Sequence, residues 1–363
     1  MKKGILVVNL GTPQSPNPKD VKIYLDEFLM DPFVIDIPWP LRALLVKGII
    51  LNTRPKKSAH AYKQIWTDKG SPLAFHTHEF VDKLRAQIPD LKIEVGMRYG
   101  QPSLESGMQK LIDQGVREIF IFQMYPQFAW ASSASVEDKV KKIAISLNAK
   151  ASEKIEIKFS EPFFKEPEFI SSFANILGKH MSSADPYVLM SFHGIPERHL
   201  GRVSCEAKEH CLQQASCCEL SEKTSKLENV YNRCYRAQCF ATAEGIAKKM
   251  GLAPGRWSVS FQSRLGRTPW LKPFTDFVIE ELAAKGEKDV LVMCPSFVSD
   301  CLETLEEIQI RAREDFEKFT GGKGKLKLVP SLNSDPDWVK SAARILHRQL
   351  LIESSVNPFL LRS

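Results

Sequence analysis

The 363-residue chain is long enough for two domains of ordinary size and a substantial core. Its composition, 43% apolar and 26% charged, is that of a soluble globular protein. A net charge of +7, spread without arginine-rich blocks or aromatic–basic interleaving, argues against nucleic acid and suits an anionic substrate or an acidic membrane surface.

At the amino terminus, MKKGILVVNLGTP sets two lysines before an apolar run, as a signal peptide would. The run is only ILVV before Asn9 breaks it and Gly11-Thr12-Pro13 ends it, too short for a signal. A first strand, GILVVNL (4–10), is predicted instead. WPLRALLVKGII (39–50), after a proline break, reads as an amphipathic helix. Core packing is the common explanation for such a helix. The alternative is an apolar lip that admits a greasy substrate or rests on a membrane. No uninterrupted apolar stretch reaches the about 18 residues that span a bilayer, since even LRALLVKGIIL (41–51) contains Arg42 and Lys47. A cytoplasmic protein is expected.

RPKKSAHAYKQIWTDKGSPL (54–73) supplies Arg54, Tyr62 and Ser71. Strands follow at KIEVGMRY (92–99), EIFIFQMYP (118–126) and IEIKFSEP (155–162), carrying Arg98, Tyr99 and Tyr125 near their carboxyl ends. A fifth, YVLMSFH (187–193), runs into His193, where Gly194 permits close backbone approach and Pro196 stiffens the turn. An imidazole there can take a proton or ligate a metal; the alternative is a structural histidine bonded to a carbonyl.

Five of the eight cysteines, Cys205, Cys211, Cys217, Cys218 and Cys234, crowd into 30 residues. In a large cytosolic chain such clustering favours metal binding over a disulfide scaffold. The spacing C-x5-C-x5-C-C matches neither a zinc ribbon nor a plant-type ferredoxin.

The remaining strands are WSVSFQS (257–263), DVLVMCP (289–295) and KLKLVPSL (325–332). SFQSRLGRTPW (260–270) supplies Arg264, Arg267 and Trp270. With Arg98 and Tyr99 they suggest a cleft of aromatic faces and carboxylate-binding donors. PSFVSDCLETLEEI (295–308) opens a helix with Asp300 as its expected cap, and Glu303 and Glu307 on one face. Acidic residues in a first turn are favoured by the helix dipole in any case; the sharper reading is a carboxylate path for protons or a divalent cation.

Strands alternating with helices predict an α/β protein built of two Rossmann-like domains, each with a four-stranded parallel sheet flanked by helices. The third and fourth strands start about 37 residues apart in both halves, and VNLGTP matches SFHGIP at the ends of the first strands. The expected division is 1–170, then 171–335 with a cysteine-rich insertion over 201–234, then a carboxyl-terminal helix and tail, 336–363. Parallel sheets bind ligands at the carboxyl ends of their strands, so two facing edges would form a cleft walled by His193.

VNLGTP, MRYG, YPQF, SFHGIPER, FQSRLGRTPWL and MCPSFVSDCLETLEEI, in this order, resemble the ferrochelatases, most closely the proteobacterial protoporphyrin type. The resemblance implies insertion of Fe2+ into protoporphyrin IX, the last step of haem synthesis. Rival readings are chelation of coproporphyrin III or of another metal, and a non-catalytic haem or metal carrier. By resemblance His193 accepts pyrrole protons or ligates iron, Glu303 stands opposite, and Glu307 is the next carboxylate of the acidic helix. Arg54, Ser71, Arg98, Tyr99 and Tyr125 fall at positions lining the macrocycle or near its propionates, and Trp270 flanks the pocket.

The same resemblance implies a 2Fe–2S cluster on the internal insertion, held by Cys205, Cys211, Cys217 and Cys218, with Cys234 as an alternative ligand and zinc as the alternative metal. Arg311 replaces an acidic residue of the family's helix, and Cys301 a histidine of animal members. Trp130 and the cysteine-free tail rule out the animal type of cluster site. A monomer with peripheral membrane contact is expected.

Overall fold

The computed structural model describes residues 2–149, 153–181, 185–202, 212, 217–218, 232–264, 266 and 268–355. The first half contains β1 (Lys3–Thr12), β2 (Lys92–Gly100), β3 (Glu118–Gln123) and β4 (Glu156–Phe159), ordered β2-β1-β3-β4. The second contains β5 (Tyr187–His193), β6 (Trp257–Gln262), β7 (Asp289–Met293) and β8 (Lys325–Leu328), ordered β6-β5-β7-β8. Every pairing within both sheets is parallel. The eight predicted strands are all present. Those at 118–126, 155–162, 289–295 and 325–332 end early. Three of these runs continue as buried loop residues beyond the ladder, such as Met124, Cys294 and Val329.

Unbroken apolar runs mark strands covered on both faces. Ile5 and Val7 enter one large core, while Leu6 and Val8 enter a second beneath helices Leu104–Asp113 and Ser135–Asn148. The large core also takes Val188, Met190 and Phe192 from β5, so one apolar interior joins the two sheets. Helix Pro167–His180, where the halves meet, lies in it with Phe169 and Phe173. The carboxyl-terminal helix Pro336–Ser355 returns to the first half: Trp338 stacks on Phe80 at 5.9 Å, and Lys83 donates to the Ser334 carbonyl at 2.6 Å.

Residues 39–50 are not one amphipathic helix packed on the core. An α-helical turn, Trp39–Ala43, passes into a π-helical segment, Leu44–Ile50, which continues as helix Leu51–Ile65. Val46 is buried, yet Trp39, Leu41, Leu44 and Ile49 are exposed, and Arg42 is turned inward to the carbonyls of Ile35 and Ile37. Trp39, Leu41, Leu44 and Ile49 thus leave an apolar row facing outward. Among the described residues no helix is long and apolar enough to cross a membrane.

Candidate active site

In both sheets the strand order reverses beside the first strand, and such switch points open a crevice at the carboxyl ends. In the first sheet the crevice begins at Gly11, whose φ of +100° and approach to the Tyr99 carbonyl, 1.8 Å from where a Cβ would stand, exclude any side chain.

In the second sheet it begins at His193, which ends β5 opposite Gln262. Its N–H donates to Ser296 Oγ at 3.2 Å, and its carbonyl accepts from the Tyr235 hydroxyl at 2.8 Å. Gly194 donates to the Gln262 carbonyl at 2.7 Å, and an added Cβ would lie 2.8 Å from that oxygen. The turn is then tied down by Glu197 N–H to Pro269 O (3.0 Å) and Leu271 N–H to Ile195 O (3.1 Å), which bring Trp270 against Pro196. His193 Nδ1 lies 2.6 Å from the Gly194 carbonyl. A carbonyl only accepts, so the neutral ring carries its proton on Nδ1 and keeps a lone pair on Nε2.

Beyond β7 the chain forms a short turn, Leu302–Thr304, then a π-helix, Leu305–Ala312, then helix Arg313–Phe319. Its cap is Cys301, not Asp300. Asp300 is buried, and its carboxylate is taken by Thr304 Oγ1, Ser331 N–H and Asn333 Nδ2. Gln262 donates its amide to the Glu303 carbonyl at 2.8 Å and to Glu307 Oε2 at 3.3 Å. Ser263, held at φ +66°, donates its hydroxyl to the same Glu307 oxygen. Burial raises the proton affinity of Glu307, and the charge of Glu303 raises it further; Ser263, Arg311 and His193 draw it back. Glu307 thus lies within reach of the charges of both Glu303 and His193.

Arg311 closes the line of carboxylates. It pairs with Glu306 at 2.9 Å and with Glu307 at 3.3 Å. Outside it lies a cavity of about 530 Å³ lined by Ser263, Asp276, Phe277, Glu307, Arg311 and Phe319.

The opposing wall comes from the first half. Thr12 donates to Ser71 Oγ at 2.9 Å, and Tyr24 to the Gly11 carbonyl at 3.3 Å. Tyr24 and Tyr62 hold their protons far above the usual phenol range, chiefly through burial, with the charge of Glu303 contributing to both. Glu303 therefore faces these tyrosines across the crevice. The Tyr125 hydroxyl is buried without a hydrogen-bond partner, and burial raises its proton affinity. Arg54 is exposed on helix Leu51–Ile65.

Two predicted macrocycle contacts, Arg98 and Tyr99, meet one buried carboxylate. Tyr99 is 0% exposed and donates to Asp31 Oδ2 at 2.7 Å, while Arg98 is ion-paired to the same buried carboxylate and donates to Ser135 Oγ at 2.7 Å. Tyr99 supports the wall from behind rather than meeting a ligand, because a strand alternates its faces and this one points inward. Sequence reasoning missed Asp31, Tyr24 and Gln262. Asp31 in FLMDPF looks like any turn acid, and only the fold brings it beneath β2.

Of the clustered cysteines, Cys205 and Cys211 lie outside the described residues. Cys217 and Cys218 are buried with their sulfurs 4.0 Å apart, and Arg236 Nη1 lies 2.8 Å from the Cys218 sulfur and 3.7 Å from that of Cys217. The Cys218 thiol is pushed up first by its hydrogen bond with Cys234, then by burial. Cys234 thus belongs with the pair. Among the described residues no three histidine, cysteine or acidic side chains form a metal-holding group.

Twin parallel sheets with a switch-point imidazole facing an acidic helix define a chelatase. Solved structures agree on the fold: SirB from Bacillus subtilis with Fe3+ superposes with a TM-score of 0.55 at 10% identity, covering 98% of both chains. The sirohydrochlorin chelatase SirB of subspecies spizizenii in complex with cobalt gives 0.54, again at 10% identity and 98% coverage of both. A family model described as Ferrochelatase matches residues 2–350. The ferrochelatase of Azotobacter vinelandii is 46% identical over 341 residues, covering 94% of this chain and 97% of the relative. That of Pseudomonas syringae pv. syringae is 45% identical over 348 residues, covering 96% and 98%. The chain belongs to the ferrochelatase family.

Proposed function

We propose that the chain inserts ferrous iron into protoporphyrin IX to form protohaem, with His193 and the Glu303–Glu307 pair dividing the chemistry. A flat macrocycle must lose its N–H protons as the cation enters. The observation that carries this reading is the 2.6 Å contact of His193 Nδ1 with the Gly194 carbonyl, which leaves Nε2 free to accept a proton, with Glu307 close enough for its proton affinity to respond to this histidine. His193 accepts a pyrrole proton or meets the iron; Glu303 and Glu307 offer hard oxygens to the cation, or a path for protons. Ser71, Arg54, Arg98, Tyr125 and Trp270 are assigned to the walls and rim, where the buried hydroxyl of Tyr125 has a donor to offer. The exposed row Trp39, Leu41, Leu44 and Ile49 forms the lip, resting against a membrane surface in a monomeric enzyme.

We further propose that the cysteine group contributes to a soft metal centre, completed by ligands outside the described residues. Buried thiols at Cys217, Cys218 and Cys234 lie beside Arg236, whose cation would offset thiolate charge. With Cys205 or Cys211 they would hold a 2Fe–2S cluster, which supplies a stabilising clip or a redox-responsive centre; Zn2+ is the alternative. Visible charge-transfer absorption in anaerobically isolated protein supports the cluster, and a colourless protein overturns it.

The deciding assay is anaerobic incubation with porphyrin and Fe2+ or Zn2+ while porphyrin fluorescence is followed. Metal-dependent loss over many turnovers is expected, faster with protoporphyrin IX than with coproporphyrin III. Loss that stops at one equivalent per chain would make this a carrier.

A further inference from the structure

At the end of β5 the carbonyl of His193 passes beyond the ladder, and Tyr235 takes it. The Tyr235 hydroxyl donates to that oxygen at 2.8 Å, the residue is 5% exposed, and it opens helix Tyr235–Met250. Ser296, which accepts the N–H of His193, also hydrogen-bonds Tyr235. The peptide of His193 is thereby gripped by one side chain from a helix start and one from the loop after β7. Because Nδ1 is bonded to the adjoining Gly194 carbonyl, the direction of the imidazole follows the direction of this backbone.

The other end of the linkage is sulfur. Cys234, the cap of the same helix, is 4% exposed and shares one buried cluster with Cys217 and Cys218, whose sulfurs lie 4.0 Å apart; Arg236 touches that of Cys218 at 2.8 Å. One covalent step along the chain separates the thiol group from the residue that holds His193. A helix start is stiff, so a shift of Cys234 is carried into the Tyr235 ring rather than absorbed.

We propose that Tyr235 is a positioning residue for His193 and transmits to it the state of the Cys218–Cys234 thiol group. The proposal rests on the reading of His193 as proton acceptor. A displacement of Cys234 then turns Nε2 away from the macrocycle.

Tyr235→Phe keeps the buried ring and removes only the hydroxyl. In the full chain, without porphyrin or added metal, ring nitrogen NMR signals of His193 are assigned by their loss in His193→Gln. Tyr235→Phe and Cys234→Ser should each move those signals while leaving those of His78 in place, with far-UV circular dichroism and melting temperature unchanged. Turnover should fall about tenfold at constant KM for porphyrin in each variant, and no further in the double variant. Should Cys234→Ser fail to fold, Cys218→Ser takes its place. Wild-type ring signals in Tyr235→Phe, or losses that multiply in the double variant, overturn the proposal. Full turnover by His193→Gln would instead overturn the role of His193, and the ring signals would still decide the linkage.

Discussion

The side-chain amide of Gln262 holds the carbonyl of Glu303 at 2.8 Å while its own backbone stands opposite His193 in the ladder. One residue therefore sets the spacing between the imidazole and the acidic helix. Its remaining oxygen accepts from Ser191 Oγ at 2.6 Å, so its hydrogen-bonding capacity is fully used in a site only 6% exposed. Gln262→Met preserves the volume and takes its donor from the Glu303 carbonyl, while Glu307 keeps Ser263 and Ser191 keeps Thr275. The expected cost is about 2–3 kcal/mol of stability in urea denaturation. Turnover should drop at least about tenfold, because Glu303 loses its anchor. Normal turnover in a destabilised variant would show that Gln262 serves packing alone.

Glu307 predicts an unusual slope with pH. Burial, then the charge of Glu303, raises its proton affinity in the folded chain. The folded state therefore binds more protons than the unfolded one between the ordinary carboxylate value and the raised one. Stability contributed by this group is present below that window and falls as pH rises through it. Glu307→Gln removes the slope, so its melting temperature should gain on the wild type from pH 4 to pH 8. A gain that shrinks over that range would reverse the sign. Turnover of the variant should fall about a hundredfold, since a carboxamide passes no proton.

The sheets were legible because parallel strands buried on both faces must be continuously apolar, as ILVV and VLMSF are. His193, Glu303 and Glu307 were singled out for a related reason: they follow strand ends, where the crevice of such a fold lies. The inward supports were not. Asp31, Tyr24 and Gln262 act across sequence separations that no local pattern encodes, such as the 41 residues between Gln262 and Glu303. Tyr99 misled because a tyrosine at a strand end reads alike whether it faces a ligand or the core. Residues 39–50 left core packing and a lip both open, because the sequence does not announce the π-helical stretch in which Leu44 and Ile49 are exposed.

Asp31 is the keystone under the first wall. It is 5% exposed and receives Arg98, the Tyr99 hydroxyl at 2.7 Å and Ser135 Oγ at 2.5 Å. Asp31→Asn leaves the guanidinium of Arg98 desolvated without its counter-charge. The expected loss is about 3–5 kcal/mol, measured by chemical denaturation. Adding Arg98→Met should recover part of it, since the stranded cation is then gone. No recovery in the double variant would place the cost in the lost hydrogen bonds of Tyr99 and Ser135.

Asp36, just before the lip, joins the segment that follows the His193 turn. Arg198 Nε lies 2.9 and 3.0 Å from its two oxygens, and His199 Nε2 lies 3.6 Å away. Burial pushes His199 down to about 4, outweighing the pull of Asp36; its ring is 1% exposed. For Asp36, burial works upward, but the hydrogen bond and charge of Arg198 bring it below the usual carboxylate range. The two groups act in separate windows. Between pH 6.5 and 4 the unfolded chain takes up a proton at His199 that the folded chain refuses, so stability falls with pH. The fall amounts to at most about 3 kcal/mol. Loss at Asp36 begins only below that. His199→Gln should flatten the melting-temperature profile between pH 6.5 and 4 and leave the steeper acid limb unchanged. A profile that keeps its slope in the variant would move the acid sensitivity of this junction to another group.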